Sequence, residues 1–69
     1  MKYATVTITP MQKHINNGET KVLEFINNRE ANYYFISLCD EKGYDFEFNS
    51  TGADAGGRGH DYEITLNLI

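Results

Sequence analysis

The sequence predicts an α+β domain of ββαββ order, with one helix packed on one face of a four-stranded, mostly antiparallel sheet. Two alternating segments, a capped amphipathic helix and a β-branched N-terminal run carry that expectation. Residues 44–49 (Tyr-Asp-Phe-Glu-Phe-Asn) and 61–68 (Asp-Tyr-Glu-Ile-Thr-Leu-Asn-Leu) alternate apolar with polar side chains. Successive side chains on a strand point to opposite faces. Tyr44, Phe46, Phe48, Tyr62, Ile64, Leu66 and Leu68 therefore share a buried face, and Asp45, Glu47, Asp61 and Glu63 stand together on the other.

Near the start, Lys2 to Thr9 alternates Ala4, Val6 and Ile8 with Tyr3, Thr5, Thr7 and Thr9. Pro10 has no N–H to give to a ladder, so it ends this strand or kinks it at an edge. Asn17-Gly18 predicts a type I′ hairpin turn, because both residues tolerate positive φ. Thr20 to Asn27 is then the returning strand. Leu23 and Phe25 face inward, since the opposite choice would bury the Glu24 carboxylate without a partner.

The helix comes next. Asn27 is its N-cap, with Glu30 placed three residues on as in a capping box. Ala31, Tyr34, Phe35, Leu38 and Cys39 fall at i, i+3, i+4, i+7 and i+8, one apolar stripe of helical period. Gly43 stops the helix, which runs from Asn28 to Lys42. One long helix from Val22 to Cys39 is the competing arrangement, and it would have to run through the cap-favouring pair Asn27-Asn28. A strand order of 2-1-3-4 fits this scheme, although the sequence does not fix it.

Composition narrows the function classes. Sixty-nine residues, 41% of them hydrophobic, form a single domain over 1–69 near the lower size limit for an unstapled core. Cys39 is the lone cysteine, which excludes an internal disulfide and fits a reducing, cytoplasmic setting. No stretch approaches the roughly 18 apolar residues of a membrane span. Net charge is −4, and Lys2, Lys13, Lys21, Arg29, Lys42 and Arg58 are scattered. Direct nucleic-acid binding is disfavoured, and a basic protein partner is the natural complement.

Catalytic and cofactor chemistry finds little support. His14, His60 and Cys39 match no zinc spacing, so no metal is expected. Cys39 lies on the buried stripe and is followed by Asp40 and Glu41, a poor setting for a thiolate nucleophile. Asp45/Glu47 and Asp61/Glu63 have the residue types of a general acid and base. An open sheet face, however, gives them no cleft in which their pKa values would separate. The chain is expected not to be an enzyme and to carry no cofactor.

Two features remain. Residues 50–60 hold four of the six glycines and read as a long loop between the last two strands. Arg58 there suits a phosphate or carboxylate. No Lys-Ser/Thr pair follows the glycines, which removes the P-loop reading. Tyr3, Met11, Ile15, Val22 and Ile26 fall on the open face, where an apolar patch marks an interface, a homodimer or a partner. Tyr33 and Ile36 lie off the helix stripe.

The expectation is a small acidic protein-binding inhibitor or regulator acting on a basic, nucleic-acid-handling host protein. Its contact residues are Glu24, Asp45, Glu47, Asp54, Arg58, His60, Asp61 and Glu63. Carboxylates on alternate strand residues lie roughly 6.5 to 7 Å apart, close to the phosphate spacing of an extended nucleic-acid strand. Small size and seven asparagines are compatible with a phage- or mobile-element-encoded protein of anti-CRISPR or anti-restriction type. The alternative is a small-ligand or nucleotide-binding module using the 50–60 loop, at a dimer interface.

Overall fold

A computed structural model describes residues 3–12, 18–57 and 59–69. The order is ββαβββ: β1 (Ala4–Pro10), β2 (Lys21–Phe25), α1 (Asn28–Lys42), β3 (Phe46–Phe48), β4 (Gly52–Gly56) and β5 (Tyr62–Asn67). The strands make one antiparallel sheet in the order β2-β1-β5-β4-β3. The expected four-stranded ββαββ sheet is thus corrected to five strands. The added one is β4, cut from the segment that reads as a loop. Its insertion moves β3 to the far edge and seats β5 against β1, which replaces the 2-1-3-4 order.

Helix α1 has the predicted bounds because its signals are local. The Asn27 side chain accepts a hydrogen bond from the Glu30 N–H at 2.8 Å, filling one of the donors left open at a helix start. At the other end Gly43 takes φ 71. The Gly43 N–H then reaches the Asp40 carbonyl at 3.2 Å and the Tyr44 N–H reaches that of Cys39 at 2.8 Å, a Schellman closure. A Cβ on Gly43 would meet nothing within 4 Å. Gly43→Ala therefore isolates backbone strain and is expected to cost about 1–2 kcal/mol in chemical denaturation.

Ala31, Phe35 and Cys39 are fully buried along the helix, over Ala4, Val6, Ile64 and Leu66. Tyr34 leaves the core edge to stack on Phe25 of β2, ring centroids 5.3 Å apart. The Ile69 N–H donates to Asn28 Oδ1 at 2.7 Å, which ties the end of the chain to the first turn of α1.

Five strands span roughly 19 Å from first to last, whereas one helix is about 10–12 Å across. The helix lies over β2, β1 and β5. The β4–β3 side is floored instead by Ala53 and Ala55 and walled by Phe46, whose ring meets Phe35 edge-on at 5.6 Å. Phe48, expected on the buried face, is on the helix side but beyond its reach and stays 54% exposed.

The β3–β4 turn is organised by Asn49. Its Oδ1 accepts from the Thr51 N–H (2.9 Å), the Thr51 hydroxyl (3.0 Å) and the Gly52 N–H (2.9 Å). Its own N–H donates to the Gly52 carbonyl at 2.9 Å. Asn49→Ala removes the shared acceptor and should cost about 1–2 kcal/mol, while Asn49→Asp, which keeps an acceptor, should cost less. Urea unfolding of the two variants checks the difference.

The β1–β2 ladder ends with Ile8 opposite Lys21. A two-residue turn at 17–18 would instead pair residue 16 with 19, so the connection is longer than that hairpin. Gly18 has φ 75, and Asn17 lies outside the described residues.

Candidate functional site

The strand registers lay out the open face, away from the helix, as rows. One row reads Glu47–Asp54–Thr65–Thr7–Val22 from edge to edge. A second joins Gly56, Glu63 and Thr9, and a third joins Gly52, Asn67, Thr5 and Glu24. Asp45 and Asp61 directly precede β3 and β5, in phase with Glu47 and Glu63, at the same end of the sheet. Asp45, Glu47, Asp54, Asp61 and Glu63 therefore form one acidic corner, all of them exposed.

Inserting β4 separates the two alternating strands yet completes this corner. Neighbouring strands are about 4.8 Å apart, so Asp54 fills the gap between Glu47 and the β5 carboxylates. Glu47 and Asp54 sit directly opposite one another, where like charges disfavour the pairing. No lysine or arginine occupies any of the three rows. The Asn49 amide nitrogen makes a long contact with Asp54 Oδ2, at 3.4 Å.

The other expected site residues are placed differently. Glu24 shares the open face but stands on β2, the edge opposite β3, so the sheet does not bring it to the corner. His60 sits in the β4–β5 turn, its N–H on the Gly57 carbonyl at 2.9 Å and its ring 4.7 Å from Tyr44. That position is beside Asp61 and the start of β3. Arg58 and Ile15 lie outside the described residues.

The apolar residues expected to form one interface are divided. Val22, 56% exposed, is central on β2, opposite Thr7. Tyr3 precedes β1 and Ile26 follows β2 at the end of the sheet far from the acidic corner. Met11 is at the opposite end, its N–H donating to the Asp61 carbonyl at 2.8 Å.

The glycines of the supposed loop have structural work. A Cβ on Gly52 would fall on the Leu66 carbonyl, and one on Gly56 would meet the Tyr62 carbonyl and the Tyr44 ring. These glycines let β4 press against β5, so their open backbone faces a neighbouring strand and not a ligand. The correction is that residues 52–56 are an interior strand, and the connection after it is a short turn closed by Gly57 N–H on the Tyr62 carbonyl at 2.9 Å.

Burial pushes the Cys39 thiol pKa up, which keeps it protonated within the core. Among the described residues no three His, Cys, Asp or Glu side chains converge as a metal site, and no helix is long and apolar enough to cross a membrane. Comparison of the chain with protein-family models, with curated proteins and with solved structures finds no match.

Proposed function

We propose that this chain is a small binding protein that captures a basic protein through the acidic corner of its open sheet face. The observation that carries the reading is the facing pair Glu47 and Asp54 in a row without a cation. A sheet gains stability from opposite charges across strands and loses it from like ones. A carboxylate cluster held in this unfavourable arrangement is relieved when a partner supplies lysine or arginine.

The partner class follows from the spacing. Carboxylates about 4.8 Å apart across strands and roughly 6.5–7 Å apart along them offer a two-dimensional anionic array. Such an array competes with nucleic acid for a cationic channel. The biochemical role is then inhibition or regulation of a nucleic-acid-handling protein in a reducing compartment. Capture of a purified basic nucleic-acid-binding protein, with release of its bound DNA, tests this directly. A variant carrying Glu47→Lys, Asp54→Lys and Glu63→Lys is the control, and equal capture by both chains refutes the reading.

A further inference from the structure

We propose that β3 is the docking edge, along which an extended, basic segment of the partner adds as a sixth strand. This inference rests on the acidic-corner reading and specifies how the partner is held. The added strand points apolar side chains toward α1 and lysine or arginine toward the open face.

The backbone supplies the first argument. β3 is an outer strand, and no described residue pairs with its free side. Antiparallel ladders alternate bonded and non-bonded pairs. The Asn49 N–H to Gly52 carbonyl bond sets that alternation, directing residues 47 and 49 inward to β4. The N–H and C=O groups of Phe46 and Phe48 consequently point outward, a ready template for another strand.

The surfaces flanking this edge supply the second. On the helix side a groove of about 770 Å³ runs between α1 and β3, lined by Tyr33, Ile36, Tyr44 and Phe46 together with the charged Arg29 and Asp40. Its existence follows from a helix too narrow to cover five strands. On the other side a second hollow of about 340 Å³ is bordered by Asp45, Glu47 and Asp54. A strand laid along β3 sends alternate side chains into these two hollows, the first with the larger apolar share and the second carrying Asp45, Glu47 and Asp54 beside Phe46 and Phe48. Asn32 lies on the groove wall, and its Oδ1 is buried without a hydrogen-bond donor.

Charge selects the occupant. A second copy docking through the same edge would set Asp45 and Glu47 against their own equivalents, which opposes pairing. The other outer strand, β2, offers on its open face the single carboxylate of Glu24 beside the apolar Val22, with Lys21 on its helix side. A basic segment alternating with apolar residues fits β3 alone.

The test uses three short acetylated peptides: lysine alternating with valine, the same composition in blocks, and the alternating peptide N-methylated where its amides face β3. The alternating peptide should slow hydrogen exchange at the Phe46 and Phe48 amides and bind about tenfold tighter than the block peptide. N-methylation should abolish that protection. Equal affinity for alternating and block peptides, protection at β2, or dimerisation through β3 each overturns the strand addition. If equal affinity is lost on Asp54→Lys and Glu63→Lys, only the strand addition falls and the acidic reading stands. Order-dependent binding indifferent to those reversals supports the strand addition and overturns the acidic reading.

Discussion

Gly52→Ala is expected to unfold this domain. The added methyl would occupy the position of the Leu66 carbonyl on the neighbouring strand, and backbone on both sides prevents it from moving aside. Gly52 is buried near the end of an interior strand. Separating β4 from β5 would also disturb Ala53 and Ala55, which belong to the single core cluster. A cost of about 3–5 kcal/mol is the scale of such overpacking against backbone. A core of this size supplies only about 3–5 kcal/mol in total, so the variant should lose cooperative melting by circular dichroism. Gly43→Ala is the matched comparison. It adds the same methyl at a position with open space, and should stay folded. A cooperative transition for Gly52→Ala close to that of the unaltered chain would show that β4 does not lie against β5 as described.

Reversal of Glu47 is expected to move stability and binding in opposite directions. Glu47→Lys converts the like-charged pair with Asp54 into an opposite-charged one and should stabilise the fold by a few tenths of a kcal/mol at low salt. The same change should weaken capture of a basic partner. With Asp54→Lys and Glu63→Lys added, losses of about 1 kcal/mol each amount to roughly a hundredfold in affinity. Binding by the unaltered chain should also decline as salt rises, because exposed charges are screened beyond about 8–10 Å. Thermal melts and binding titrations on the same samples separate the two effects. A variant that is destabilised, or that binds as tightly as before, would contradict the proposed role of the corner.

Local chemistry made much of this architecture readable. The cap at Asn27 and the left-handed Gly43 bound a stripe of helical period, so α1 follows from the letters without its neighbours. Face assignment was equally legible. Glu47 and Glu63 keep their side of the sheet whatever strand is placed between them, because pleating depends only on sequence parity.

Strand β4 was not legible in the same way. Gly-Ala-Asp-Ala-Gly has poor intrinsic strand preference, and its extended state is imposed by ladders on both sides. Its small residues answer to the Leu66 and Tyr62 carbonyls, which the local sequence cannot display. A faint signal existed in the alternation of Ala53 and Ala55 with Asp54. Without β4 the order of the sheet is hidden, as is Asp54's position between the acidic residues of β3 and β5. The distance between Glu24 and the corner follows from the same order.

The bond from Ile69 to Asn28 has a practical corollary for assays on surfaces. Thr5 stands beside Asn67 in the ladder, so the entry to β1 and the exit from β5 lie on one side of the molecule. β5 then extends roughly 20 Å to Asp61 on the opposite side. A biotin or fluorescent label joined near either end would hold the molecule upright, with its carboxylates facing bulk solution. Immobilisation by lysine coupling offers no such orientation, since Lys42 lies over the Tyr62 ring at the other end of β5.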